Sequence, residues 1–329
     1  MSTSEINQLF QKFEHMNAWV IGDVMIDAYY WGHVNRISPE APVPVVEVSE
    51  KDERLGGAAN VALNMLALGA TPLILSVVGK DEKGEVIQRL LDKRGFSNEG
   101  ILASTERPTT VKTRVISGGQ HMMRVDEETT AALSVKEESA FIELVIQLFE
   151  THTPDVIVLE DYNKGVLTGK VISTVIAEAN RRGIPTTVDP KKDNFFSYKD
   201  CSLFKPNLKE LREGTKIDFD KNDTQALLGA ISAMEAKLNN GLSLVTLSEL
   251  GVLIKQGNEH FAIPAHRREI VDVSGAGDTV ISVASLALAA GANPKLIAGL
   301  SNLAGGMVCE KTGVVPIDKD KLKAEAERL

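Results

Sequence analysis

The chain has 329 residues, 43% of them hydrophobic and 25% charged, which is typical of a soluble globular protein able to bury a sizeable core. Its formal net charge of −9 argues against general binding to nucleic acid or to an anionic membrane surface, and no run of 18 apolar residues predicts a membrane span. The two cysteines, Cys201 and Cys309, lie far apart without metal-ligand spacing, which argues against a disulfide framework or a zinc site.

The first predicted elements are a helix and a buried strand. Apolar residues recur at helical spacing over residues 6–13, where a signal peptide would need an apolar run, so we expect a cytoplasmic protein. A short apolar run at 18–22 predicts the first strand. Asp27 follows close after it, in a position where open α/β sheets bind ligands. Asp27 can bind ligand hydroxyl groups or be an ordinary loop carboxylate, and its position alone leaves both open.

Two β-rich segments predict a small second sheet. Residues 33–54 carry three prolines and alternating valines, and residues 109–126 form two alternating runs around the turn Ser117-Gly118-Gly119-Gln120. We expect these segments to form a lid, at about 30–55 and 106–127. Arg114 and Arg124 on its strands suit an anionic substituent, although charges on a solvated strand face are the more common explanation.

A glycine pair opens the next predicted helix. Gly56 and Gly57 allow close approach of a ligand to the backbone, and Asn60 offers both a donor and an acceptor. The alternative is that the glycines only permit tight helix packing.

After about residue 135, strands alternate with helices. Helices are predicted at 135–150, 168–182 and 222–238, and strands at 155–159, 185–188 and 242–247. This order predicts a parallel sheet with helices on both faces. Polar residues follow the strands at 160–164, 189–191, 205–210 and 246–251. Because the carboxyl ends of parallel strands share one rim, we expect these groups to surround one ligand site.

One pair on this rim has two readings. Asn207 and Glu210 are three residues apart at a predicted helix start, so they can orient water or Mg2+ near phosphate groups, or they can simply cap the helix. A last helix, from Pro294 to Glu310, can line a purine pocket or belong to the core.

The stretch IVDVSGAGDTVI at 270–281 predicts a glycine turn feeding a helix. The unpaired first amides of a helix and its dipole favour an anion there. Asp278 then stands where a hydroxyl can lose its proton during attack on a phosphoryl group. In isolation, a capping role for Asp278 is the alternative.

Three motifs occur in order: GGAAN at 56–60, NxxE at 207–210 and DVSGAGD at 272–278. They resemble those of the ribokinase or PfkB family of sugar kinases, and the resemblance covers nearly the whole chain. Segments at 36–48, 159–167, 188–191, 275–281 and 310–315 are similar to the branch that phosphorylates D-glycero-D-manno-heptose 7-phosphate in ADP-heptose synthesis for lipopolysaccharide. The resemblance implies a ribokinase-like α/β fold with a largely parallel sheet and a β lid, and ATP-dependent phosphorylation of the C1 hydroxyl.

The resemblance also implies roles for individual residues. Asp278 is the expected general base, and the amides of Gly275, Ala276 and Gly277 are the expected anion hole. The remaining expected contacts are Asp27, Gly57 and Asn60 for sugar hydroxyls; Arg36, Arg114, Arg124 or, as first choice, Lys164 for the sugar phosphate; Asn207 and Glu210 for Mg2+ and phosphates; Asn207, Thr246, Ser248, Gly251 and Asn302 for the nucleotide; and Asp272 and Ser274 for a monovalent cation such as K+.

Two departures bear on the substrate contacts. The hairpin turn Gly118-Gly119 offers no basic group, and Glu160 stands where relatives often have a small residue. The alternatives are a kinase for another sugar or sugar phosphate and a non-catalytic, sugar-responsive binding protein. An intact Asp278 argues against the second.

The resemblance also bears on assembly and domain content. Lids commonly pair in this family, so we expect a homodimer. Bifunctional relatives add an adenylyltransferase domain with an HxGH motif, which the six histidines of this chain do not form. We therefore expect one kinase domain over 1–329 and no adenylyltransferase domain.

Overall fold

A computed structural model describes residues 3–328, so residues 1, 2 and 329 of the expected domain lie outside the described part. The helices are α1 (Thr3–Phe13), α2 (Ala58–Ala67), α3 (Glu82–Lys93), α4 (Val135–Thr151), α5 (Gly169–Arg182), α6 (Leu208–Thr215), α7 (Thr224–Leu238), α8 (Ala276–Ala289), α9 (Pro294–Val308) and α10 (Lys319–Ala326). The strands are β1 (Asn17–Gly22), β2 (Val24–Ile37), β3 (Pro44–Gly57), β4 (Thr71–Gly79), β5 (Ile101–Ser104), β6 (Val111–Ser117), β7 (Gln120–Glu127), β8 (Val156–Glu160), β9 (Thr186–Asp189), β10 (Leu203–Phe204), β11 (Leu242–Thr246), β12 (Val252–Gln256) and β13 (Glu259–Ile263).

Nine of these strands form one large sheet, in the order β13-β12-β11-β10-β9-β8-β1-β4-β5. The seven strands from β11 to β5 in this order run parallel to one another, and β12 and β13 form an antiparallel edge beside β11. The predicted parallel sheet is confirmed. Strand β5 was not predicted, because its four residues are too short to show an alternating pattern.

Both faces of the large sheet are buried by helices. Along β1, Ala18 and Val20 point into a core shared with α1, α2, α8 and α9. Trp19 and Ile21 point into a second core with α4, α5 and α7, where Trp19 packs 4.5 Å from the ring of Phe149. Burial on both faces explains why the parallel strands are almost entirely apolar.

The other four strands form the small sheet, in the order β3-β2-β6-β7. A single residue, Asp23, separates the end of β1 in the large sheet from the start of β2 in the small one. The small sheet therefore grows directly from the rim of the large sheet. No helix within residues 3–328 is both long and apolar enough to cross a membrane.

Candidate active site

The predicted glycine turn opens α8 and brings Asp278 to the rim of the large sheet. Gly275 has a φ of 77°, in the left-handed region that favours glycine. A Cβ at this position would lie 3.0 Å from Nδ2 of Asn60, so a larger residue would press on that amide. The amide of Ala276 is directed at the carbonyl of Val273 over 3.3 Å, which is a long hydrogen bond. The amides of the next two residues, Gly277 and Asp278, have no acceptor within the helix.

Asp278 is 5% exposed, and both of its carboxylate oxygens accept hydrogen bonds. Nδ2 of Asn60 lies 2.6 Å from Oδ2, and the hydroxyl of Tyr162 lies 2.7 Å from Oδ1. Burial raises the pKa of Asp278, and these two hydrogen bonds oppose that rise. Asn60 comes from the N-terminal glycine motif, so the fold joins two motifs that lie 218 residues apart. A buried carboxylate held in one orientation is suited to act as a general base.

Two further carboxylates lie beside Asp278. Glu160 and Asp189 are paired residues at the ends of the adjacent parallel strands β8 and β9. Carboxylate oxygens of all three residues lie within 4.8 Å of one another. Both oxygens of Glu160 are buried without a hydrogen-bond partner in the described residues, and burial together with Asp189 and Asp278 raises its pKa well above the ordinary value. Carboxylate oxygens are the ligands that Mg2+ prefers, so this is where the described residues offer a divalent cation the best donors.

Two lysines offset part of this negative charge. Nζ of Lys205 lies 2.8 Å from Oδ2 of Asp189, and a Cβ on Gly277 would lie 3.7 Å from that same Nζ. The ammonium group of Lys205 is therefore beside the first turn of α8, where an anion is expected. Nζ of Lys191 lies 2.8 Å from Oε1 of Glu210. The glycine turn thus has cationic partners that the sequence analysis did not assign.

Asn207 and Glu210 form a capping box at the start of α6. Oδ1 of Asn207 accepts from the Glu210 amide, and Oε2 of Glu210 accepts from the Asn207 amide, each over 2.9 Å. The capping interpretation is therefore realised in the structure. Because Oε1 of Glu210 bonds to Lys191, both of its oxygens are occupied, and contact with Mg2+ through water fits this pair better than direct ligation.

Two of the residues expected to line the nucleotide site, Asn302 and Gly251, contact the same segment, residues 263–265. Nδ2 of Asn302 donates to the carbonyl of Pro264 over 2.8 Å. A Cβ on Gly251, whose φ is 94°, would lie 2.1 Å from the carbonyl oxygen of Ile263, so only glycine fits there. Thr246 ends β11 and bridges to Asn207, and Ser248 starts a short turn that leads to Gly251.

The expected sugar contacts also come together. Asp27 is 5% exposed, and a Cβ on Gly56 would lie 2.2 Å from its Oδ2. Gly57 has a φ of 60° immediately before α2, the helix that carries Asn60. Asp27, Gly57 and Asn60 therefore line one wall near Asp278. Asp27 is not free, however, because its Oδ1 accepts a hydrogen bond from Arg114.

The four basic candidates lie in different surroundings. Arg114 faces Asp27, whereas Arg36 is exposed near the end of β2. Arg124 is exposed and pairs with Asp126 over 2.8 Å. Lys164 is 9% exposed and its Nζ lies 2.7 Å from Oε1 of Glu128, whose Oε2 binds Lys112. Of these four residues, Arg114 is the one that lies beside a residue expected to bind the sugar, Asp27.

Asp272 links the glycine turn to the loop after α9. Its Oδ1 accepts from the amide of Ser274 over 2.9 Å, and its Oδ2 accepts from the amide of Gly313 over 2.8 Å. Asp272 and Ser274 are thus adjacent, as a shared cation site requires, and each carboxylate oxygen retains a lone pair for a further contact.

The sequence analysis did not assign a role to Asp23, the junction of the two sheets. Its Oδ2 accepts from the amides of Tyr162 and Lys164 over 2.9 and 3.0 Å, and its Oδ1 accepts from the amide of Val166 over 3.1 Å. Asp23 therefore shapes the loop that presents Tyr162 to Asp278. Its place directly after a buried strand was the available signal.

This fold and this buried carboxylate at a glycine turn define a sugar kinase of the ribokinase-like class. Residues 17–320 match the model of the pfkB family carbohydrate kinases, so the chain belongs to that family, as the motifs predicted. Kinases of this family use ATP and a divalent metal.

Two curated relatives illustrate the similarity. The chain is 40% identical to the bifunctional protein HldE of Methylobacillus flagellatus over 331 residues, covering 99% of this chain and 67% of that protein. It is 39% identical to bifunctional protein HldE of Citrifermentans bemidjiense over 326 residues, covering 99% of this chain and 66% of that protein. The chain therefore spans about two thirds of the length of these relatives.

Solved structures share the fold at low identity. Escherichia coli phosphofructokinase-2 in complex with potassium has a TM-score of 0.77 and 19% identity, covering 95% of this chain and 99% of that one. Arabidopsis thaliana ribokinase complexed with ribose and ATP has a TM-score of 0.72 and 16% identity, with the same coverage of both chains. These structures confirm the predicted ribokinase-like fold.

Proposed function

We propose that this chain transfers the γ-phosphoryl group of ATP to the C1 hydroxyl of D-glycero-D-manno-heptose 7-phosphate, giving the 1,7-bisphosphate and ADP as a step of ADP-heptose synthesis. The observation that carries the phosphoryl-transfer chemistry is the contact of Asn60 with Asp278 at the glycine turn. Support for the substrate comes from the similarity to HldE proteins over 99% of the chain.

In this mechanism Asp278 accepts the proton of the C1 hydroxyl as the C1 oxygen forms its bond to the γ-phosphorus and the bond to ADP breaks. The amides of the first turn of α8 and the ammonium of Lys205 stabilise the negative charge on the transferring group. Lys205 suits this role because it is 3% exposed and Asp189 holds it beside Gly277. Asn60 and Tyr162 keep the carboxylate of Asp278 oriented toward the acceptor.

When bound, Mg2+ neutralises phosphate charge and ATP supplies the phosphoryl group. We infer that the rim carboxylates Glu160 and Asp189, with Glu210 acting through water, hold the cation. The unpartnered oxygens of Glu160 support this. We extend the proposal to K+ near Asp272 and Ser274, since the Escherichia coli phosphofructokinase-2 structure is a potassium complex.

We further propose a cytoplasmic homodimer that pairs through the small sheet. The cytoplasmic location follows from the use of ATP as phosphoryl donor. Apolar side chains left exposed on the sheet support pairing: Met123 is 56% exposed, Val125 44% and Val48 43%. Met123 and Val125 are the strand partners of Val115 and Thr113. They belong to the face of the small sheet whose part closer to the large sheet, at Val111 and Ile26, packs into the hydrophobic core. Exposed apolar patches of this kind mark interaction surfaces.

Turnover assays across a panel of sugars test the substrate assignment. ATP consumption is measured with heptose 7-phosphate, with the same heptose lacking phosphate, and with ribose, fructose and fructose 6-phosphate. The proposal expects the highest kcat/KM with heptose 7-phosphate. Preference for another sugar would replace the substrate, and tight sugar binding without any ATP consumption would indicate a binding protein.

A further inference from the structure

We propose that Arg54 and Tyr29, together with Arg114 and beside Gly313, form the site for the phosphate group that the sugar already carries. The identity of the sugar rests on the proposed function above. Recognition of the phosphate rests on the geometry of these residues alone and can be tested separately.

The three side chains project from one face of the small sheet. Arg54 is the strand partner of Asp27, and Arg114 is the strand partner of Tyr29. Because side chains alternate along a strand, Tyr29, Arg54 and Arg114 lie on the face of the small sheet that also carries Asp27. The guanidinium carbon of Arg54 lies 4.8 Å from the centroid of the Tyr29 ring, and that of Arg114 lies 5.3 Å from it. Two cations therefore share one aromatic ring beside an expected sugar contact.

The hydroxyl of Tyr29 lacks an acceptor. Tyr29 is 4% exposed, and no acceptor for its hydroxyl proton lies within hydrogen-bonding distance in residues 3–328. The hydroxyl faces the amide of Val314 instead. A buried donor without an acceptor is unfavourable, and a ligand oxygen between the two guanidinium groups would satisfy it.

Gly313 keeps space open at this point. Its φ is 73°, and a Cβ there would lie 3.2 Å from Nη1 of Arg54 and 3.5 Å from the hydroxyl of Tyr29. The next residue, Val314, reaches the catalytic turn, since a Cβ on Gly275 would lie 3.3 Å from its Cγ1. Consecutive Cα atoms are about 3.8 Å apart. Arg54 and Tyr29 therefore lie beside Gly313 and the catalytic turn lies beside the next residue, so the phosphate site and the catalytic turn are neighbours in the fold.

Arg54 is also available to bind. Its ion-pair partner in the described residues is Asp52, two positions along the same strand, with 40% of the Asp52 side chain exposed. Such an exposed pair contributes little stability, so Arg54 can exchange it for a phosphate dianion that accepts two parallel hydrogen bonds. Lys164 differs, because Glu128 already neutralises it inside the protein.

Calorimetric titration with inorganic phosphate tests the site directly. A saturating non-hydrolysable ATP analogue with Mg2+ is present, so that the glycine turn is filled. We expect Arg54→Ala to weaken phosphate binding roughly 10- to 100-fold, the effect of losing charge-assisted hydrogen bonds, and Tyr29→Phe to weaken it by a smaller factor.

Lys51→Ala is the matched control. Lys51 is on the same strand but projects from the opposite face, with its Nζ 4.6 Å from the centroid of the Tyr30 ring. The substitution removes one positive charge, as Arg54→Ala does. The Lys51→Ala variant should nevertheless bind phosphate as the wild type does. Circular dichroism and binding of the ATP analogue confirm that each variant is folded. Unchanged affinity in Arg54→Ala, an equal loss in Lys51→Ala, or no phosphate binding by the wild type would each overturn the proposal.

Kinetics separate this inference from the proposed function. With heptose 7-phosphate, Arg54→Ala should raise KM roughly 10- to 100-fold and change kcat little, and with the heptose lacking phosphate it should change neither. If the wild type does not turn over heptose 7-phosphate, the proposed substrate is wrong, and the phosphate titrations still decide the role of Arg54. If the wild type turns it over and Arg54→Ala is unaffected, the phosphate site is wrong and the function stands.

Discussion

The hydroxyl of Tyr162 donates a hydrogen bond of 2.7 Å to Oδ1 of Asp278, the carboxylate oxygen not already bound by Asn60. Burial raises the pKa of Tyr162 well above its ordinary value, and Asp278 adds to that rise, so the tyrosine remains a proton donor at neutral pH. This hydrogen bond stabilises the ionised form of Asp278. Tyr162 is therefore a positioning residue for the base.

Replacing Tyr162 by Phe tests this role through the pH profile. The variant loses a donor to the ionised carboxylate, so the pKa of Asp278, already raised by burial, should rise further. Because the base must be ionised, the acid limb of kcat/KM should move to higher pH. The rate at high pH should fall much less than the rate at low pH. A variant whose profile overlays that of the wild type would show that the tyrosine only fills space.

Asp23→Asn should disturb the loop that carries Tyr162. Three amides donate to the two oxygens of Asp23, and an asparagine would turn its NH2 group toward at least one of them. We expect a loss of about 1–3 kcal/mol in the free energy of unfolding, the cost of leaving a buried donor unpaired, together with reduced turnover. Urea unfolding and steady-state assays measure the two effects.

The same substitution has a pH signature. Burial, with the nearby Asp161, raises the pKa of Asp23 to about 6. Between the ordinary carboxyl value and about 6, the folded chain holds a proton that the unfolded chain has lost. This group therefore adds to the free energy of unfolding as pH falls through that window. Asp23→Asn should remove that part of the slope, and identical slopes in both proteins would contradict the assignment.

Charged substitutions in the small sheet test the homodimer. Introducing Glu at both Met123 and Val125 places charges in the proposed interface, so the protein should sediment as a monomer. Val135→Glu is the control, because Val135 is 80% exposed on α4, away from the small sheet. Analytical ultracentrifugation should show dimers for the wild type and for this control. A monomeric wild type, or a dimeric double variant, would refute pairing through the sheet.

Periodicity and turn residues were sufficient to predict most of the fold. Helix α5 was predicted within one residue of its observed bounds, because Thr168 caps it and the apolar spacing is regular. The hairpin was also predicted, because a glycine pair lies between two alternating runs. In the structure both Gly118 and Gly119 adopt positive φ. Strand β5 is too short to have a readable pattern.

The candidate site was less predictable, because its contacts are long-range. Asp278 and Asn60 could be chosen from their local motifs. Nothing local indicates that Tyr162 reaches Asp278 or that Arg54 stacks on Tyr29, since these contacts depend on strand register and on how the two sheets meet. Glu160 had been noted as a polar residue at a strand end and as a departure from the family pattern, but no role was assigned to it. Its importance emerges from its pairing with Asp189.

The central claim is that Asp278 takes the proton from the C1 hydroxyl of heptose 7-phosphate. Phosphorus NMR of the purified protein with heptose 7-phosphate, ATP and Mg2+ follows substrate, product and nucleotide together. The account predicts a new anomeric phosphate resonance and ADP, because the γ-phosphoryl group of ATP is transferred to the C1 oxygen. In Asp278→Asn, both ligands should still bind and the rate should fall on the order of 10²-fold or more. Absence of the anomeric phosphate in the wild type, or near-normal turnover in Asp278→Asn, would contradict the account.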